Sequence, residues 1–209
     1  MQSNLSIFTQ LLWIAIGYLS GSIPTGVLYS KIFHKVDVRQ LGSGNSGATN
    51  IGRNFGFKAA VIVSVIDILK GWIPILMVRQ IFPNEHLLIM LVGIASVLGH
   101  AYPIFAGFKG GKIVSTSFGV LVGFNFWIGL MTALVLFAFI YLTSTISLSA
   151  LSSYTLGALY ILVTNDQIVY GIGFLLITLF MYYRHRANIQ RILNGTESRI
   201  SWGLHNPNK

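Results

Sequence analysis

The chain has 209 residues, 54% of them hydrophobic and only 9% charged, a balance that excludes an ordinary soluble domain, which is charged at about a quarter of its positions. A net charge of +9 raises nucleic acid as a partner, a reading that depends on where the basic residues fall. Cysteine is absent, which excludes disulfides, thiolate metal sites and thioester intermediates.

In chain order, apolar runs occupy 8–29, 59–78, 87–105, 113–124, 126–142, 148–163 and 168–183. A helix needs ~20 residues to cross a ~30 Å hydrocarbon core. The shorter fourth, sixth and seventh runs are expected to tilt, to end in interfacial aromatics or to be shielded by protein. The pattern predicts an all-α integral membrane protein of about seven transmembrane helices, forming a single domain over 1–209. No lysine or arginine precedes the first run, so it is expected to be a span and not a cleaved leader.

The basic residues cluster between these runs. Lys31, Lys35, Arg39, Arg53 and Lys58 flank the connection after the first, and Lys109 and Lys112 follow the third. Arg184, Arg186, Arg191, Arg199 and Lys209 follow the seventh. With the N-terminus outside and the C-terminus cytoplasmic, alternating spans put all twelve on the inner side. The charge is therefore a topology signal, which removes the case for nucleic acid and leaves an inner face attractive to anionic substrates and membrane lipids. The outer connections are plain, whereas the inner ones are rich in hydrogen-bond donors. A cytoplasmic-face site follows.

The first inner connection reads "QLGSGNSGATNIGRNFG" from 40 to 56. Gly42, Gly44 and Gly47 fit G-x-G-x-x-G, but a membrane helix and not a strand precedes them, so the dinucleotide fingerprint does not apply. A P-loop is excluded too, because Ala48 stands where the lysine belongs. The shared physics survives: glycines turn successive N–H groups towards one centre, and a following helix N-terminus adds its dipole. Ser43, Asn45, Thr49 and Asn50 add side-chain donors, and Arg53 offers a planar fork for phosphate. The plainer reading is a flexible re-entrant connector.

In "GHAYPIFAGFKGGK", residues 99–112, Gly110 and Gly111 permit close backbone approach and Lys112 can place a point charge on a phosphate. His100, at a helix end, is either structural or catalytic. Asp67 and Lys70, three apart within the second run, are expected to neutralise one another. In "RHRANIQR", from 184, His185 and Asn188 are three apart and share a helix face, while Arg184 and Arg186 are interfacial anchors. No histidine or acid spacing suits a metal, and no His-x-x-x-x-Asp motif occurs.

Taken in order, "GSGNSGATN" with Arg53, "GHAYPIFAGFKGGK" and "HRANIQRILNGTE" resemble the bacterial acyl-phosphate:glycerol-3-phosphate acyltransferases. "DILKG" at 67–71 and "SLSALSS" at 147–153 also fit, so the resemblance covers about residues 17–200. The family usually reads GGKGVAT where this chain has "GGKIVST", so Ile113 and Ser115 depart from it, and Ala150 replaces a frequent serine.

The resemblance implies a multi-pass enzyme of the bacterial plasma membrane, active on the cytoplasmic side. Its partners would be acyl phosphate and glycerol 3-phosphate, and no cofactor or metal is implied. It implies catalytic roles for Ser43, Asn45, Lys112 and His185. Substrate binding would fall to Gly42, Gly44, Gly47, Thr49, Asn50, Arg53, His100, Gly110, Gly111, Ser147 and Asn188. His185 is either a general base or a binding group. A transporter of phosphorylated metabolites would place its polar groups at mid-membrane, often in inverted repeats. Here they gather on one side and no repeat is visible, which favours the enzyme.

Overall fold

The computed structural model describes residues 5–206, and all regular structure among them is helical. Residues up to Phe124 and residues from Asn125 onward form two compact units.

The first unit contains α1 (Ile7–Gly21), α2 (Thr25–His34), α3 (Ala48–Phe55), α4 (Phe57–Ile81), α5 (His86–Ala101) and α6 (Val114–Phe124). Ser6 starts α1 by accepting the Thr9 N–H at 3.1 Å, satisfying one of the donors a helix start leaves over. The first apolar run is broken at 22–24, where Pro24 supplies no N–H. Helices α1 and α5 approach closely at Gly21 and Gly99, and α4 and α6 at Gly71 and Gly119. At each of these a Cβ would collide with the facing backbone. Small residues allow such crossings where lipid supplies no hydrophobic force between helices.

The polar connection 40–56 is only half a loop. Its second half is α3, because Ala48, Ile51 and Phe55 recur at helical spacing. Ile51 is buried with Val27, Val38, Ala59 and Val63, and Ala48 and Phe55 pack against that cluster. Packing overrides the poor helix propensity of the glycine- and asparagine-rich sequence.

The second unit contains α7 (Phe126–Thr143), α8 (Ile146–Thr164), α9 (Ile168–Arg184) and α10 (Arg186–Leu193). Asn125 caps α7 by accepting the N–H groups of Trp127 and Ile128. Ser144, at φ 54°, ends it in the left-handed region. Helices α9 and α10 meet at His185 with a bend of 64°.

All seven apolar runs are helical. Five segments are long and apolar enough to cross a membrane, and the bent α9–α10 pair makes up to six. Helix α6, with 11 residues, is ~16 Å long and covers about half of a ~30 Å core. Leu11, Leu12, Val61, Val65, Leu134 and Phe137 point outward, as expected where lipid is the solvent.

Candidate active site

The loop before α3 is shaped by one buried side chain. Asn50 donates from Nδ2 to the carbonyls of Val38, Leu41 and Asn45 at 2.9–3.1 Å, and its Oδ1 accepts the Ser43 N–H at 3.1 Å. Gly42 (φ 53°) and Gly44 (φ 70°) take the left-handed turns that bring the backbone round it. Asn45 accepts the Gly47 N–H at 2.8 Å and closes the turn into α3. Asn50 thus spends its amide on the loop. Ser43, Thr49 and Arg53 differ: all three are exposed, and no side-chain hydrogen bond ties any of them down. Thr49 and Arg53 are four apart on α3, so they share a face.

A second loop, 103–113, follows α5. Gly110 donates its N–H to the Ala101 carbonyl and Gly111 to the His100 carbonyl, both at 3.1 Å. A Cβ on Gly111 would collide with the His100 ring, so the close approach these glycines permit is to His100. His100 is itself buried. Its Nδ1 lies 3.0 Å from Thr116 Oγ1 and 3.7 Å from the Asp67 carboxylate. Asp67 accepts from Lys70 Nζ at 2.7 Å, with side chains only 3% and 4% exposed, and Lys70 also donates to the Ile23 carbonyl at 2.8 Å. The pair therefore sits where neither partner could stay charged alone. His100 joins it to the backbone that carries Lys112. Lys112 is half-buried, and the next residue, Ile113, is fully buried at φ 63°. A β-branched residue there is a rare, strained case.

The two loops of this unit are tied together by Arg39. Its Nη1 donates to the carbonyls of Ala106 at 2.8 Å and Lys109 at 3.3 Å. Asp37 fixes it through bonds to Nε at 3.0 Å and Nη2 at 2.7 Å. Those side-chain bonds from Arg39 outweigh partial burial and hold the Asp37 carboxyl down at about 2.

In the second unit the centre is Glu197. Its Oε1 accepts from Ser147 Oγ at 2.7 Å and Asn188 Nδ2 at 2.6 Å, and its Oε2 accepts from Arg191 Nε at 2.7 Å. Burial would raise its pKa, but the bonds from Ser147, Asn188 and Arg191 outweigh it and leave the group lowered. His185 is buried at the α9–α10 bend, with Nδ1 2.8 Å from the Met181 carbonyl. A carbonyl can only accept, so Nδ1 carries the hydrogen and the lone pair of the neutral ring is on Nε2.

The structure therefore brings Gly42–Arg53 and His100–Lys112 together within the first unit. It gathers Ser147 and Asn188 round one carboxylate in the second. Arg39 and Glu197 are the residues a reading of sequence passes over. Arg39 counts there as a topology charge, and nothing local marks its reach to 106–109. Glu197 had a signal in Asn188, an amide with no reason to sit beside a helix bend unless it orients something.

Fold and site together define a membrane-embedded helical protein with exposed hydroxyl and guanidinium donors on a glycine-rich loop, a lysine behind paired glycines and no cysteine. That is the class of a membrane protein whose donors suit a phosphorylated ligand. Residues 11–195 match the family model of glycerol-3-phosphate acyltransferases, and the chain belongs to that family. It is 42% identical over 195 residues to the glycerol-3-phosphate acyltransferase of Lactiplantibacillus plantarum, covering 93% of each chain. It is 43% identical to that of Bacillus subtilis, covering 91% of this chain and 97% of the relative. The fold matches that of PlsY (YgiH), an integral membrane glycerol 3-phosphate acyltransferase, in its glycerol 3-phosphate form. There the TM-score is 0.88 at 37% identity, with 92% of this chain and 96% of that chain covered. The lysophosphatidic acid form of PlsY matches with a TM-score of 0.86.

Proposed function

We propose that the chain transfers a fatty acyl group from acyl phosphate to the sn-1 hydroxyl of glycerol 3-phosphate, releasing lysophosphatidic acid and inorganic phosphate as the first step of phospholipid synthesis. The observation that carries the reading is the set of exposed, uncommitted donors at Ser43, between two left-handed glycines, and at Thr49 and Arg53 on the α3 that follows, which suits phosphate. The forms in which the similar PlsY was solved supply a substrate and a product that both carry phosphate. The family match crosses both compact units, which supports one acyltransferase domain. The bias of basic residues supports the cytoplasmic side of a bacterial plasma membrane as the place of the reaction.

An acyl phosphate is a mixed anhydride with a good leaving group, so no acyl-enzyme is needed. The glycerol hydroxyl oxygen attacks the carbonyl carbon, the carbon–oxygen bond to phosphate breaks, and the hydroxyl proton leaves on a phosphate oxygen or on His185 Nε2. The protein's work is to hold the hydroxyl against the carbonyl and to stabilise the oxyanion. In this account Arg53 and Lys112 bind phosphate within the first unit, and Ser147, His185 and Asn188 of the second bind glycerol phosphate. Ser43, Thr49, the Asn45 amide N–H and the Gly42 backbone N–H take the donor phosphate and the oxyanion, while Gly44 and Gly47, whose N–H groups bond the Leu41 carbonyl and Asn45 Oδ1, shape the loop. Asn50, His100, Gly110 and Gly111 serve by positioning these groups. His185→Gln keeps hydrogen bonding and removes basicity, so a fall in kcat at constant KM assigns the base to His185, and a rise in KM alone assigns binding.

The donor is tested with purified protein, labelled glycerol 3-phosphate and either palmitoyl phosphate or palmitoyl thioesters. Label entering lysophosphatidic acid with the acyl phosphate alone is expected. Equal transfer from a thioester would overturn the donor assignment.

A further inference from the structure

Helix α7 ends with carbonyls that no helical N–H can reach, as every helix does. Three acceptors at this end take donors from one distant segment. Leu204 donates its N–H to the Tyr141 carbonyl at 2.8 Å, and Ile200 donates to the Ser144 carbonyl at 2.8 Å. His205 Nδ1 lies 2.7 Å from the Leu142 carbonyl, which can only accept, so the ring donates. Trp202 adds an edge contact to the Tyr141 ring at 5.6 Å. Gly203, at φ 103°, makes this fit possible. A Cβ there would lie 2.9 Å from Ser144 Oγ and collide with the Tyr141 carbonyl. Residues 200–205 lie outside the 11–195 stretch that matches the family.

The carbonyls they hold close the last turn of α7 and open the turn that leads into α8. Ser144 sits in that turn in the left-handed conformation, and Ser147 is one residue inside the helix. Ser147 in turn bonds Glu197, which lies three residues before Ile200. One stretch of chain thus grips the turn from two sides: Glu197 takes the Ser147 hydroxyl, and 200–205 take the backbone just before it. Neither grip needs the other for its own hydrogen bonds, yet both act on the orientation of one hydroxyl.

We propose that Ile200–His205 is a positioning clamp that sets Ser147 for glycerol phosphate, with His205 as its terminal donor. The proposal rests on the reading of Ser147 as a glycerol phosphate ligand. Because the clamp touches backbone and not substrate, loosening it alters how well Ser147 is aimed while leaving the phosphate-binding loops of the other unit intact.

The test compares Gly203→Val, His205→Ala, His205→Asn and Ser147→Ala in the full chain, reading KM for glycerol 3-phosphate, KM for palmitoyl phosphate and amide exchange at Ile200 and Leu204. Asn places an amide N–H where His205 Nδ1 stands. His205→Ala is expected to raise KM for glycerol 3-phosphate roughly three- to tenfold, the worth of one hydrogen bond, with KM for the acyl donor unchanged. His205→Asn is expected to restore it, and Gly203→Val to release both amides and raise KM at least as far. If Ser147→Ala raises KM but His205→Ala and Gly203→Val free the amides without moving it, the clamp is refuted and the segment only stabilises. If Ser147→Ala itself leaves KM unchanged, the ligand role of Ser147 fails and the clamp fails with it.

Discussion

Ile113 offers a test in which the sign alone decides. It is fully buried at φ 63°, directly after Lys112. A non-glycine residue in the left-handed region is strained by about 1–2 kcal/mol. Truncation to Ala forfeits the packing of a buried Ile, about 2–5 kcal/mol, and keeps the strain. Truncation to Gly forfeits slightly more packing and about 0.5–1 kcal/mol of backbone entropy, but relieves the strain. At an ordinary position Gly would be the less stable of the two variants by about 0.5–1 kcal/mol. Here the balance reverses, and Ile113→Gly is expected to exceed Ile113→Ala by about 1 kcal/mol, or about 2–4 °C in Tm. Thermal unfolding of both variants and the parent in one detergent is the assay. Both variants should melt below the parent, with Ala lowest. Ala at or above Gly would refute the left-handed backbone behind Lys112.

Asp67→Ala leaves Lys70 buried without its partner, and should cost about 3–5 kcal/mol, whereas Asp67→Leu with Lys70→Met should melt closer to the parent. A single variant as stable as the parent would contradict the buried pair. Gly111→Ala drives a methyl into His100 and displaces Lys112, and a shift near 1 Å should lower kcat/KM on the order of 10²-fold. Parental activity would show that Lys112 is not placed through this contact. The Asp37 carboxyl is held below its ordinary 3.8, at about 2, so its contribution is present above 3.8 and lost as pH falls through about 2. Amide exchange at 106–110 should rise in that window, and Asp37→Asn should reproduce the rise at pH 7. Exchange that ignores both would remove Arg39 as the tether of the two loops.

Seven apolar runs are legible in the sequence because a helix in lipid must be apolar over its length. The break at 22–24 is marked locally by "SGSIPTG" at 20–26, which hydropathy averaged over the whole run conceals, whereas the bend at His185 carries no such breaker. Helix α3 is hidden by Gly52 and two asparagines, although Ala48, Ile51 and Phe55 keep helical spacing. Among site residues, chemistry at a glycine-rich loop announces Ser43 and Arg53. The division of labour does not show, because Asn50 and Thr49 read alike until one is found buried with its amide spent and the other exposed. His100 reads as ambiguous because its partners Asp67, Thr116 and Gly111 come from three separate segments. Arg39 and Glu197 act through contacts that no local pattern encodes.

The most direct measurement is phosphate release by purified protein given palmitoyl phosphate, with and without glycerol 3-phosphate, in the parent and in Lys112→Ala. The account predicts release that requires both substrates, matches lysophosphatidic acid formed mole for mole, and is lost in Lys112→Ala. Release independent of glycerol 3-phosphate, or undiminished in Lys112→Ala, would contradict it.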